Sequence, residues 1–170
     1  MASILKVDQI QTAAGGTPTA ADLGINTTGT VLQVVHQEYT SAGGTTSTSY
    51  VDYASLSITP SSTSSKVLAM FCAPLGYQDS GGQNFYHFLT MYRGTTDLGR
   101  SNGNGISGTY YNGITYNDIA LNTPTIMVLD SPNTANSVTY YLKHKVNTSS
   151  ASAIMCLDGQ ARFTLMEIAG

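Results

Sequence analysis

Apolar and polar residues alternate along much of this chain, which is the spacing of a β-strand with one buried face. From Ser49 to Thr59 the alternation places Ala54, Leu56 and Ile58 on one side of the strand, with serine or threonine on the other. From Val138 to Val146 it is equally regular, and we predict that the more apolar side points inward. That side carries Val138, Tyr140, Leu142, His144 and Val146.

Comparable patterns predict strands along the rest of the chain, separated by segments rich in Gly, Ser, Asn and Pro. The predicted strands lie at 31–39, 66–73, 85–93, 125–130, 153–157 and 161–168, with shorter candidates at 110–116 and 117–121. Loops are predicted at 41–47, 76–84 and 95–107. Asp158-Gly159 is a strong hairpin signal and predicts that the last two strands pair with each other. We therefore predict an all-β fold, an antiparallel β-sandwich with the jelly roll as its expected topology.

Two of the predicted strands are apolar on both sides. Lys66–Ala73 and Ala161–Ile168 offer no polar face, whereas a strand in a sandwich normally buries one face and exposes the other to water. The second face therefore needs a cover, either the N-terminal segment or another copy of the chain. The candidate residues of such a subunit interface are Leu68, Met70, Cys72, Met166 and Ile168.

The beginning of the chain lacks the hydrophobic density of the remainder. Too few apolar residues fall together to form a core, so this segment is predicted to be an extended arm that lies against another structure. We divide the chain into an N-terminal arm at 1–32 and a β-sandwich domain at 33–170. The arm residues predicted to dock are Ile4, Leu5, Val7 and Ile10.

Several stretches of the sequence resemble a known group of proteins. Ser3–Gln11 and Thr28–Val35 are similar to the N-terminal region of small fibre and tail-associated proteins of bacteriophages, particularly marine and cyanobacterial phages. Leu56–Leu68, Leu89–Thr95 and Phe163–Gly170 match the same group, so the resemblance spans most of the chain. None of these stretches is a catalytic signature.

The resemblance implies a non-enzymatic structural protein of the virion, made in the cytoplasm of a bacterial host. Proteins of this group are commonly homotrimers, which would place the doubly apolar strands near a three-fold axis. The expected role is a short trimeric fibre or appendage that docks by its arm onto other virion proteins of the tail, a fibre adaptor or the capsid. Its β-domain would adhere to a glycan of the host surface. A capsid decoration or head-fibre protein at a symmetry axis is the first alternative.

Composition and charge narrow the range of partners. Charged residues are only 10% of the 170 residues, and the net charge is −3 with seven Lys and Arg. Binding to a phosphate backbone needs a basic stripe, so we predict no nucleic-acid partner. No apolar run reaches the length of about 18 residues that a membrane span needs, and no signal segment opens the chain, so membrane insertion is not expected.

The glycines and histidines form no recognisable cofactor or metal pattern. Gly103–Gly108 spells the dinucleotide fingerprint G-x-G-x-x-G, but the residues that follow do not start a helix, so we predict a loop. The histidines have no second ligand at a metal-binding spacing, and we predict that they are hydrogen-bonded core or interface side chains. They are His36, His87 and His144. We predict no metal and no cofactor.

The cysteines and aspartates are the remaining candidates for catalysis. Cys72 and Cys156 lie in apolar strands, where a free thiol behaves as a small core side chain. A pair of loop carboxylates at the right separation would make a tail-associated glycan hydrolase, the second alternative, although turn-forming aspartates are the simpler interpretation. Those aspartates are Asp79, Asp97, Asp118 and Asp130. We predict no catalytic residue and no enzyme.

Tyrosine and asparagine are concentrated in the turn-rich middle of the chain. Tyrosine offers a broad contact area with one polar tip, and asparagine offers adaptable hydrogen bonds, a mixture found in recognition loops. A cell-surface glycan would suit such loops. The candidate receptor-contact residues are Tyr77, Asn84, Asn104, Tyr110, Tyr111 and Asn112.

Overall fold

The fold, taken from a computed structural model, is built of antiparallel strands. The structure describes residues 11, 13–18, 23, 28–79, 84–99, 103–111, 122–156 and 159–170, with the backbone alone for 77–79. Within these ranges there is no helix, and the strands are β1 (Val31–Tyr39), β2 (Gly43–Thr45), β3 (Val51–Ile58), β4 (Lys66–Cys72), β5 (Leu75–Asp79), β6 (Phe85–Arg93), β7 (Thr96–Asp97), β8 (Ser107–Tyr111), β9 (Thr125–Asp130), β10 (Val138–Val146), β11 (Ala151–Met155) and β12 (Ala161–Ile168).

The strands form two large sheets and one small one. The first sheet has the order β1-β12-β4-β9. The second has the order β3-β10-β6, with β7 and β8 both paired to β6. The small sheet has the order β2-β11-β5. All of these pairs are antiparallel.

The inner faces of the two large sheets pack against each other and make the main core. Phe71 of β4 and Phe163 of β12 are fully buried and meet edge to face, with ring centroids 5.6 Å apart. Tyr140 and Leu142 of β10 are buried in the same cluster from the opposite sheet. This arrangement confirms the antiparallel β-sandwich, while the jelly-roll topology stays a prediction.

The small sheet contributes to a second core cluster. Ala151 and Ala153 of β11 are buried there with Phe85, Tyr111 and Val146 from the second sheet. Small side chains on β11 let it lie close to the larger sheet, so the burial of Phe85 and Val146 depends on a strand from a different sheet.

Most long strands occur where alternation predicted them. Those at 31–39, 85–93, 125–130 and 138–146 have the predicted bounds. The loops predicted at 41–47 and 76–84 instead contain β2 and most of β5, which pair on either side of β11, and the loop predicted at 95–107 contains β7. Their backbone hydrogen bonds do not require apolar alternation, which is why the side-chain pattern missed them.

The predicted hairpin between the last two strands is wrong. β11 pairs with β2 and β5, whereas β12 pairs with β1 and β4. Cys156 has a left-handed backbone, with φ of 60°, at the point where the chain leaves the small sheet. The chain therefore passes from one sheet to another here, because each strand buries its apolar residues in a different layer.

The predicted docking residues Ile4, Leu5, Val7 and Ile10 lie outside the described part of the chain. Where the structure can be followed, it contains no helix long and apolar enough to span a membrane.

Candidate functional site

The outer face of the second sheet carries a concentration of aromatic rings and lysines, which we call the aromatic face. The alternation in β6 and β10 produces it, because residues of the opposite parity enter the core. Register then sets Phe88 opposite Lys145, and Tyr92 opposite Tyr141. The aromatic face comprises Tyr50, Tyr86, Phe88, Tyr92, Tyr110, Tyr141, Lys143 and Lys145.

Three rings of this face lie next to one another in a row that we call the stack, with Tyr86 parallel to Phe88 and tilted by 37° from Tyr110. Tyr86 and Phe88 are two residues apart on β6 and lie parallel, with centroids 5.5 Å apart and an interplanar angle of 4°. Tyr110 of β8 is the cross-strand partner of Tyr86, and their centroids are 4.6 Å apart. Tyr86 is 41% exposed and Tyr110 is 48% exposed. The stack therefore presents large apolar rings to an external ligand.

Each lysine ammonium lies over aromatic rings. Lys143 Nζ is 4.7 Å from the centroid of Tyr92, and it forms a salt bridge of 2.7 Å with Asp52. Lys145 Nζ is 4.6 Å from the centroid of Tyr50 and 5.5 Å from that of Phe88. Cation–π attraction of this kind holds the flexible lysine stems against the sheet.

A shallow cleft of about 280 Å³ adjoins the stack, between β6 and the turn before β8. Asn104 and Ser107 supply its polar side chains, and Tyr86 and Phe88 supply its aromatic wall. Gly108 lies directly beneath Phe88, and a Cβ at that position would approach the ring to 2.9 Å. The absence of a side chain there lets Phe88 lie flat on the strand.

The predicted receptor-contact residues do not all reach this face. Tyr110 belongs to it, and Asn104 lines the adjoining cleft. Tyr111 instead is 5% exposed and stacks on Phe85, with centroids 4.9 Å apart. It is a core residue in place of the predicted surface contact, because alternation along β8 turns it inward.

The remaining predicted receptor-contact residues lie outside the aromatic face or outside the described side chains. Asn84 is exposed just before β6. Tyr77 lies in β5 with its side chain not described, and Asn112 is outside the described ranges. Sequence reasoning missed Phe88 and Lys145, although alternation had already placed Lys145 on the outward side of its strand.

The outer face of the first sheet is hydrophobic, and we call it the apolar face. All five residues predicted for a subunit interface lie on it and are partly exposed. The neighbouring strands extend it with Val31, Val34, Met127 and Leu129, of which Met127 is 59% exposed and Leu129 is 55% exposed. Of the two cysteines predicted as core side chains, Cys156 is buried, whereas Cys72 lies on this outer face in agreement with its prediction as an interface residue, and both thiols are free.

Two histidines that are distant in sequence meet in the core. His87 Nε2 is 3.1 Å from His144 Nδ1, and the two side chains are 0% and 2% exposed. Burial, together with the charge of His144, lowers the pKa of His87 to about 3, and burial lowers the pKa of His144 to about 4. His36, by contrast, is exposed and hydrogen-bonded to Thr164 at 2.9 Å.

The candidate catalytic carboxylates have structural partners. Asp97 accepts hydrogen bonds from Thr90 Oγ1 and from the backbone N–H of Gly99, both at 2.8 Å. Asp130 pairs with Arg93 at 2.8 Å and accepts the Tyr140 hydroxyl at 2.7 Å. The side chain of Asp79 and the whole of Asp118 are not described. The Gly99 contact fits the turn-forming interpretation of Asp97, whereas Asp130 ends β9 and links it to β6 and β10.

Two further features bear on cofactor and metal binding. Gly103 and Gly105 have positive φ angles in the turn that leads into β8, a strand, so the dinucleotide fingerprint lacks its helix. In the described part of the chain, no three side chains of the metal-binding types come together.

A buried carboxylate that sequence reasoning missed links three elements. Glu167 of β12 is 1% exposed and accepts hydrogen bonds from Ser61, Ser65 and Gln33. Burial raises the pKa of Glu167, but the hydrogen bonds outweigh it, so the pKa lies below its usual value. This network fixes the turn after β3 to the first sheet.

Neither protein-family models nor curated protein sequences give a match to this chain.

Proposed function

We propose that the protein is a non-enzymatic structural protein of a phage particle, a trimeric appendage whose β-domain adheres to a glycan on the host surface. The observation that carries the proposal is the exposed stack of Tyr86, Phe88 and Tyr110 beside a polar cleft. Sugar rings have apolar C–H faces that pack on aromatic rings, while their hydroxyls hydrogen-bond to side chains such as Asn and Ser. The sequence resemblance to phage fibre and tail-associated proteins supports the location.

The apolar face supports the assembly part of the proposal. An exposed hydrophobic surface that spans four strands is a common subunit contact, and identical chains bury such a surface in a closed ring. A homotrimer joined through this face would direct the aromatic faces outward, since the two faces lie on opposite sides of the sandwich. The N-terminal arm would attach the trimer to another virion protein.

Multiple copies compensate for a weak contact at each site. The cleft is shallow, so a single domain is expected to bind one sugar segment weakly. Three linked sites that engage one surface raise the overall affinity by a factor of about 10² to 10⁴ without any new contact. Adhesion therefore depends on both outer faces of the domain.

Binding of the labelled protein to bacterial cells tests the adhesion role. The Tyr86→Ala/Tyr110→Ala variant removes the exposed rings and is expected to lose binding, whereas Tyr86→Phe/Tyr110→Phe keeps the rings and should retain most of it. Equal binding by the alanine variant and the wild type, with both correctly folded, would refute adhesion through this face.

A capsid decoration protein remains the alternative that the apolar face also supports, since a clamp at a symmetry axis needs a hydrophobic contact but no glycan site. Immunogold labelling of virions distinguishes the two. Labels at the tail are expected, and labels spread over the head would favour decoration.

A further inference from the structure

Lys145 places a positive charge beside the stacked rings of the aromatic face. It is the cross-strand partner of Phe88, so both side chains project outward from neighbouring strands at the same level. Its ammonium lies over Phe88 at 5.5 Å and over Tyr50 at 4.6 Å. A ligand that stacks on Phe88 would therefore meet this ammonium at its edge.

Among the described residues, no carboxylate forms an ion pair with Lys145. Lys143 on the same face pairs with Asp52, and Arg93 and Arg162 are also in salt bridges. In the described ranges, Lys145 and Lys66 are the basic side chains that form no ion pair with a described residue. Of these two, Lys145 is the one beside an aromatic stack and a polar cleft.

Of the two described carboxylates beside this face, Asp52 is neutralised by a cation, whereas Asp97 keeps its charge and is oriented by neutral donors. Asp52 is held by Lys143, and Asp97 accepts hydrogen bonds from Thr90 and Gly99. An incoming anion would therefore find an unpaired ammonium next to the stack, with the cleft side chains of Asn104 and Ser107 nearby. A charge-assisted hydrogen bond to a carboxylate is about twice as strong as one between neutral groups.

We propose that the aromatic face binds an acidic glycan, with successive uronic acid rings packed on Tyr86, Phe88 and Tyr110 and the carboxylate of one of them at Lys145. This rests on the proposed function, because it specifies the sugar class for the same adhesive site. Stacking supplies contact for any sugar ring, and Lys145 supplies the preference for a carboxylated one.

Calorimetric titration of the full-length protein with two matched polymers tests the preference. Polygalacturonate carries a carboxylate on every ring, and its carboxyl-reduced form has the same linkage without the charge. We expect the wild type to bind the acidic polymer about tenfold more tightly, a difference worth one ionic hydrogen bond. The preference should shrink as salt is raised.

Two substitutions assign the preference to Lys145. Lys145→Gln should weaken binding of polygalacturonate about tenfold and leave the reduced polymer unaffected, which a merely structural role would not produce. Lys66→Gln removes the other unpaired ammonium and should behave as the wild type. Equal affinity of the wild type for both polymers, binding of neither, or a retained preference in Lys145→Gln would overturn the proposal.

The cell-binding assay separates this proposal from the adhesion role on which it rests. If Lys145→Gln adheres like the wild type while Tyr86→Ala/Tyr110→Ala does not, the glycan is not recognised by charge and adhesion stands. If neither variant differs from the wild type, adhesion through the aromatic face fails as well.

Discussion

At the level of single residues, the stability of this domain depends most on its buried polar side chains. His87 and His144 share one hydrogen bond across β6 and β10, directly beneath the aromatic face. In the described part of the chain, His87 Nδ1 has no hydrogen-bond partner, so a proton added to it would be buried without an acceptor. The fold therefore requires both imidazoles to be neutral.

Stability should fall in mild acid because of this pair. Both pKa values are lower in the fold, about 3 and about 4, than the ordinary 6.5, so the unfolded chain takes up protons first as the pH falls below 6.5. The free energy of unfolding is therefore highest above pH 6.5. It falls as the pH is lowered towards 4, by about 1.4 kcal/mol per pH unit for each histidine. Urea unfolding between pH 7.5 and 5 measures this slope.

Variants of the buried histidines and of the exposed histidine separate the source of the pH effect. His87→Phe/His144→Leu should flatten the pH dependence, and the exposed His36→Gln should leave it as in the wild type. A stability that is constant between pH 7.5 and 5 in the wild type would contradict the burial of neutral imidazoles.

Glu167 is the second sensitive residue. An amide at this position would turn an NH₂ group towards donors that now bind a carboxylate oxygen, which leaves a buried donor unpaired. Glu167→Gln is expected to lower the free energy of unfolding by about 1 to 3 kcal/mol. Glu38→Gln, which breaks an exposed pair with Arg162, should cost about 0.5 kcal/mol or less. Denaturant midpoints that fall equally in both variants would argue against the network.

These residue-level features were only partly predictable. Alternation correctly turned His144 inward, but its contact with His87 depends on the register that sets His87 opposite Val146. The sequence pattern carries no signal for register between strands more than 50 residues apart. Glu167 lies in an apolar strand, and its donors come from a turn and from β1, so only the folded chain shows why a carboxylate is tolerated there.

At the scale of elements, alternation predicted the long strands and backbone pairing decided the short ones. β6 and β10 have strict periodicity, and the structure gives them the predicted bounds. β2 has only Gly43, Gly44 and Thr45, and it exists because β11 offers it hydrogen bonds. The Asp-Gly turn signal failed because a local turn preference does not determine which sheet the following strand joins.

The pairing of β6 with β8 leads to a prediction about a whole element. Phe88 can lie flat on β8 only because Gly108 has no side chain. Gly108→Ala would place a Cβ about 2.9 Å from the Phe88 ring and tilt it away from Tyr86. We expect a small loss of stability but a loss of glycan affinity of about tenfold, since the flat stack is disrupted. Titration with polygalacturonate measures the affinity. Gly44→Ala, which adds the same Cβ to β2 in ordinary contact with Ala153 O at 3.7 Å, is the control. Unchanged affinity in Gly108→Ala would show that the flat ring is not needed.

At the scale of the whole molecule, two outer faces of different chemistry enclose one core. The doubly apolar strands predicted that one face would need a cover, and the structure enlarges that face with Met127 and Leu129 of β9. The aromatic face could not be foreseen as a unit, because its rings come from β6, β8, β10 and the residue that precedes β3. Tyrosine enrichment indicated recognition, but the position of Lys145 beside the stack required the sheet order.

The apolar face should control the oligomeric state. Met127→Lys/Leu129→Lys adds charge at two exposed positions, so it should spare the fold and reduce a trimer of about three chain masses to a monomer. Light scattering measures the molar mass. Ser55→Lys/Ser57→Lys adds the same charge to the outer side of the second sheet and should leave the trimer intact, whereas a monomeric wild type would contradict assembly through this face.

The claim that the aromatic face adheres and the apolar face assembles is tested most directly by binding isotherms on bacterial cells. They are measured for the full-length protein and for one variant of each face. Met127→Lys/Leu129→Lys is expected to bind with the weak affinity of a single site, because avidity is lost. Tyr86→Ala/Tyr110→Ala should keep the wild-type molar mass and lose binding. Strong binding by the aromatic variant, or undiminished binding by a monomeric apolar variant, would contradict the division of adhesion and assembly between the two faces.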